Sequence, residues 1–241
     1  LRDWHGHPLG KQAADAESLL LQNADNGVTG DTKLLIGFER RHRIQRFSSN
    51  GKPAGPPRSP RGFRGAQYNA GAEALARHTS EGVIVGLESS PRGGIEGFTR
   101  LFSLDSEKEW IYPLADAAGS ALTALTHDGD DLLALERAYD PPTSLTISLR
   151  RVSLSSSAHA DVTTLAQLSS ADGWRLDNFE GLTHLDGNRY LMISDDNFNL
   201  LQETLLSCFM IKRGGPPPSP PLVAHSSHTI PSSSLPDIRS R

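Results

Sequence analysis

The chain has a single cysteine, Cys208, which excludes an intrachain disulfide framework and a cysteine-based zinc site. That cysteine lies inside the apolar run "LLSCFMI" and reads as a buried structural thiol. No stretch approaches the roughly 18 consecutive apolar residues of a membrane span. No basic stripe stands out and the formal net charge is −4, which excludes a nucleic-acid partner. Helical periodicity is weak throughout, and 22 Gly and 16 Pro punctuate the chain into turns. Familiar catalytic signatures are missing too. There is no G-x-S-x-G nucleophile elbow, no H-E-x-x-H, no P-loop, no G-x-G-x-x-G opening a helix, and no EF-hand spacing. The chain opens on "LRDWHGHPLG" with neither an initiator Met nor a signal peptide, so it reads as a fragment or a processed chain.

What is present is a repeat. The stretch "DNFEGLTHLDGNRYLMISDDN", residues 177–197, reads as two short strands joined by an Asp-Gly turn, with carboxylates at their outer ends. It has three relatives, beginning near Asp15, Gly71 and Ala121. Aligned on Leu19, Leu75, Leu125 and Leu182, the four units place Glu17, Glu73, Thr123 and Glu180 two residues earlier. At the end of each second strand the alignment places Glu39, Glu88, Glu136 and Asp195. Scattered surface charge would not readily make seven of these eight positions acidic.

Each unit continues into a third strand: "HRIQRF", "FTRLFSL", "SLTISLRRVSL" and "TLLSCFMI". "KEWIYPL" and "ADVTTLAQL" are candidates for a fourth. "GAEALARH" has some helical character, but its place in the repeat favours a strand. A period near 50 residues with three or four strands per unit fits a β-propeller blade. The expected fold is therefore all-β, with about four propeller blades over residues 1–212, belonging to a larger ring. A Pro/Ser-rich tail over 213–241 has the composition of disordered or polyproline-like chain.

In an antiparallel hairpin the start of the first strand lies beside the end of the second. Glu17 then meets Glu39, Glu73 meets Glu88, and Glu180 meets Asp195, at one mouth of a central channel. Grouped carboxylates raise one another's pKa unless a cation neutralises them. Oxygen-only donors favour Ca²⁺ or Mg²⁺ over zinc. Nearby arginines, Arg40, Arg41, Arg43 and Arg137, either neutralise the acids or grip an anionic substrate.

The segments "DAESL…IGFERRHRIQRF", "GAEALA", "DLLALERAYDP" and "NFEGLTHLDGNRYLMISDDNFNLLQETLL" resemble the phytase-like family of bacterial proteins, described as having esterase-like activity of phytase. The resemblance runs from about Leu1 to Ile211. It implies a β-propeller, commonly exported to the periplasm or outside the cell, longer at its N-terminus and six-bladed, that hydrolyses phosphate or related anionic esters. Thr123 and Ser18 depart from the family pattern.

On this reading Glu73, Glu136 and Glu180 carry acid–base chemistry. Glu17, Glu39, Glu88, Asp195 and Asp196 hold a metal, with Ca²⁺ the candidate, and Arg40, Arg41 and Arg137 hold the small anionic substrate. Blander readings stand beside these. Strand-end carboxylates accept backbone N–H bonds from a neighbouring blade, "ERRHR" also suits a solvated edge, and "SDDN" suits an Asx-type turn as well as a calcium loop. His78, His127 and His184 read as structural or exposed, residues 48–65 as a mobile basic loop, and "AYDPPT" as a rigid wall of the channel mouth. A ligand- or protein-binding propeller without catalysis, and a calcium-dependent lactonase of the gluconolactonase type, are the alternative functions.

Overall fold

The computed structural model describes residues 1–117, 119–140 and 144–212. Pro141–Thr143 of the "AYDPPT" loop and the Pro/Ser-rich tail from 213 lie outside the described residues.

The strands fall into four antiparallel meanders, and each sheet follows chain order. Sheet 1 holds β1 (Ala16–Gln22), β2 (Lys33–Phe38) and β3 (Arg43–Ser48). Sheet 2 holds β4 (Ala72–His78), β5 (Gly82–Leu87), β6 (Phe98–Ser103) and β7 (Glu109–Pro113). Sheet 3 holds β8 (Ala121–Asp128), β9 (Asp131–Asp140), β10 (Ser144–Ser153) and β11 (Asp161–Ser169). Sheet 4 holds β12 (Phe179–Asp186), β13 (Arg189–Ser194) and β14 (Leu206–Met210). The two candidate fourth strands are thus strands, and "GAEALARH" is β4 despite its alanines. Helical structure among the described residues is confined to two single 3₁₀ turns, and no helix there is long and apolar enough to cross a membrane.

The first strands stack in sequence, β1 against β4, β4 against β8, and β8 against β12. Each sheet therefore buries a face on the next. Leu35 and Ile44 meet Leu75, Val85 and Phe102 between sheets 1 and 2. Ile84, Leu101 and Trp110 meet Leu122, Leu132 and Val152 between sheets 2 and 3. Leu135, Ile147 and Leu149 meet Phe179 and Met192 between sheets 3 and 4. Sheets buried on both faces need apolar residues at consecutive positions, which is why β5 reads "GVIVGL" and not as a strict alternation. Small residues sit where the first strands crowd together, with Ala72, Ala74 and Ala76 in β4 all buried. This succession of packed meanders is consistent with a propeller-like fold.

Two local expectations change. Cys208 is exposed, because β14 turns Leu206, Cys208 and Met210 to solvent on one face. The basic segment after β3 is tied down. Its strand-like bridges join Pro53 to Phe47 and Arg58 to Ile44, and Arg58 Nη2 donates to the Leu104 carbonyl at 3.0 Å. The histidines take structural or exposed places: His78, at the end of β4, is buried and its Nδ1 accepts the Ser80 and Glu81 amides, and His127 and His184 meet edge to face, 4.4 Å between ring centroids, between sheets 3 and 4.

Candidate functional site

The same irregularity recurs at the start of every first strand. The strand registers shift between Ala16 and Ser18, Ala72 and Ala74, Leu122 and Ala124, and Phe179 and Gly181. The residues inside these bulges are Glu17, Glu73, Thr123 and Glu180. A bulge leaves one residue unpaired and re-aims its side chain, so the repeat acids are set by the backbone as well as by their spacing.

The pairing across each bulge fixes the second acid. Ala16 faces Phe38, Ala72 faces Leu87, Leu122 faces Glu136, and Phe179 faces Ser194. One place later stand Glu39, Glu88, Arg137 and Asp195. The equivalent of the strand-end acids in sheet 3 is therefore Arg137, not Glu136. Glu136 occupies a core position matched by Phe38 and Leu87, and it is 1% exposed. Its carboxylate accepts from Tyr112 Oη at 2.5 Å, Arg150 Nη1 at 2.7 Å, the Ala115 amide at 2.7 Å and Ser120 Oγ at 2.7 Å. It lies away from the other acids and its acceptor sites are filled.

The remaining acids converge. Burial first, and then Glu88, Glu17 and Glu39, push Glu73 up to about 9, against a lowering bond from the Gly71 amide. Burial, Glu17, Asp15 and Glu88 push Glu39 up to about 7. Glu17 is raised by burial, by Asp15 and by Glu180 on the fourth sheet. Burial also raises Glu88, with Arg137 opposing it, and raises Glu180 against Arg137 and Asn178. Charges brought together by folding, and not burial alone, thus shape the site.

Arg137 bridges two acids of this cluster. Nη1 donates to Glu180 Oε1 at 3.1 Å, and Nη2 lies 3.6 Å from Glu88 Oε1. Arg40 contributes at the other side, with Nε 2.8 Å from Asp15 Oδ2 in an ion pair whose angle is too poor for a hydrogen bond. Arg41 is exposed and donates its backbone amide to the Glu39 carbonyl. Arg43 leaves the site and packs over the Phe38 ring at 3.6 Å. Asp196 turns into its own loop, where it accepts the Phe198 amide at 2.9 Å and Thr204 Oγ1 at 3.1 Å. Asp195 accepts the Asn197 amide at 3.0 Å, so "SDDN" forms Asx-type turns.

Asp15, Glu17 and Glu39 offer carboxylate oxygens within 4.8 Å of one another. Three hard oxygen donors at that spacing suit a Ca²⁺ or Mg²⁺ ion that completes its shell with water. Sequence spacing did not single out Asp15, although it stands two residues ahead of Glu17. Asn178 holds the equivalent place ahead of Glu180, and its Nδ2 donates to Glu180 Oε1 at 2.7 Å. A polar residue at that offset was the available signal.

Beside the acids, between the loops of sheets 3 and 4, opens a cleft of about 670 Å³ whose lining includes Glu88, Arg137 and Asn178. Glu88 and Arg137 belong both to the acid cluster and to the lining of the cleft, so the two adjoin. A family model described as Phytase-like, esterase-like activity of phytase, matches residues 1–198. The chain belongs to the Phytase-like family. No curated protein and no solved structure matches the chain. Membership gives the converging acids of this Phytase-like chain a hydrolase-like context, while their geometry comes from the bulges and registers above.

Proposed function

We propose that this Phytase-like chain is a metal-assisted hydrolase of phosphate or other anionic esters, with its four sheets acting as propeller blades. The observation that carries the reading is the convergence of acids from sheets 1, 2 and 4 on one end of the stacked first strands, with pKa values raised first by burial and then by the charge of neighbouring acids. Such a cluster is relieved by a cation. Asp15, Glu17 and Glu39 are the ligands, and Glu88 and Asp195 extend the acidic rim. Bound there, Ca²⁺ supplies Lewis-acid charge neutralisation and a more acidic water.

The side chains divide the remaining work. Arg137 presents its guanidinium fork to the ester anion, with Arg40 supporting from the opposite side. Glu73 holds its proton at neutral pH, which suits donation to the leaving alcohol. Glu180, held by Arg137 and Asn178, is placed to receive a proton from water. Three carboxylate ligands with water completing the shell suit the weak, millimolar class of calcium site that serves extracellular modules, the setting of an exported protein.

The test is a melting series with and without Ca²⁺, followed by turnover of p-nitrophenyl phosphate and p-nitrophenyl acetate with and without EDTA. Calcium should raise the melting temperature, and turnover should vanish with EDTA and in Glu73→Gln and Glu180→Gln. Variants that keep both calcium response and turnover would remove these residues from the reaction.

A further inference from the structure

The cleft beside the acids has an unusual balance of chemistry. Its only lining cation among the described residues is Arg137, whose guanidinium already engages Glu88 and Glu180. Asp177 adds a further carboxylate to the lining, so the side chains of the cleft offer one guanidinium fork, enough for a single anionic group. A group bearing several phosphates needs several cations, each phosphate bringing close to two negative charges at neutral pH.

The rest of the wall is rich in side-chain amides. Asn178, Asn197, Asn199 and Gln202 all line it. Asn178 is 6% exposed, with Nδ2 committed to Glu180 and its backbone carbonyl accepting the Asp195 amide at 2.9 Å, so it is fixed in place. Gln202 Nε2 reaches Asp177 Oδ1 at 3.4 Å, and Asn199 Oδ1 accepts the Leu201 amide at 3.1 Å. Each amide carries an acceptor and two donors, which complement hydroxyl groups that both donate and accept. Tyr139, 60% exposed, adds an aromatic ring to the same wall. Planar amides plus one exposed aromatic side chain match a ring with hydroxyls at its edge and C–H groups on its face.

We propose that the cleft takes a neutral, hydroxyl-rich ring such as a sugar or unphosphorylated polyol, so that the substrate is a monoester of such an alcohol and not a multiply phosphorylated one. The inference rests on the ester-hydrolase reading for the position of the ester, but the binding of the alcohol part does not. The single ester anion meets Arg137 at the inner end of the cleft, and the ring lies outward along the amides. Acyl and phosphoryl monoesters share this alcohol, and turnover of each tells them apart.

Binding of methyl α-glucopyranoside and of inositol hexakisphosphate to the metal-free chain is measured by calorimetry, for the parent, Tyr139→Ala and Asn199→Leu. Circular dichroism melts confirm that the variants fold. The glycoside should bind the parent more tightly than the hexakisphosphate, and each variant should weaken it by about tenfold, the loss of one stacking or hydrogen-bonding partner. Tighter hexakisphosphate binding, no glycoside binding, or glycoside binding unchanged in both variants would overturn the proposal. Failure of the hydrolase reading looks different: no turnover of p-nitrophenyl esters and no calcium response, with glycoside binding intact.

Discussion

Two glutamates in neighbouring repeats do opposite things. Glu136 is a core carboxylate with four donors, paired with the almost buried Arg150. Removing one partner of such a buried pair costs about 3–5 kcal/mol, so Glu136→Ala should lower the melting temperature by roughly 10 °C for a domain of this size. Glu73 instead is kept protonated by burial and by the charge of its neighbours. Glu73 and Glu39 hold protons in the folded chain at pH values where the unfolded side chains, with ordinary values of 4.5, have lost them. Folding stability of the metal-free protein therefore falls as pH rises from about 4.5 through about 7 to about 9, then levels off. Glu73→Gln keeps a neutral side chain and should remove the upper part of that slope, melting above the parent at pH 9 and level with it at pH 4. Thermal melts across this pH range check both variants. At this scale the repeat put Glu17, Glu39, Glu73, Glu88 and Glu180 at matching strand ends, and the strand registers have them there, while the roles given to them are proposals. The repeat misplaced Glu136, because adjacent acidic and basic residues look alike in a spacing alignment until the register decides which one faces the core.

The strands themselves were legible from short apolar blocks between turn residues, including β7 and β11, the less obvious fourth strands. The recurring bulges were not, since a bulge inserts one residue without any composition of its own. Nor was the exposure of Cys208, because an apolar run does not say which side of an edge sheet finds a partner. The closeness of successive first strands gives this level its own prediction. A Cβ on Gly37 would lie 2.2 Å from Ser18 Oγ and 2.8 Å from both Ala72 Cβ and the Ala72 carbonyl oxygen, in the strand of the next sheet. Gly37→Val should thus cost about 1–3 kcal/mol, as overpacking of a filled interior does. By pushing β1 from β4 it should also blunt any calcium-induced rise in melting temperature. Urea melts, and calcium titrations followed by melting temperature, measure the two effects.

For the molecule as a whole, four meanders stacked first strand to first strand bring distant parts of the sequence to one end, where sheets 1, 2 and 4 supply acids and sheet 3 supplies Arg137. The repeat made this convergence predictable, since equal positions in equal units must land at equal heights. The cleft was not predictable, because it is walled by loops that differ between repeats. The convergence is tested most directly by the coupling between the first and the fourth sheet. Glu180 is among the groups that raise Glu17, after burial and Asp15. Carbon-detected NMR titration of the Glu17 carboxyl in the parent and in Glu180→Gln measures that coupling. A lower Glu17 pKa in the variant is the predicted result, and an unchanged one, in a variant that melts like the parent, would contradict the convergence of these acids.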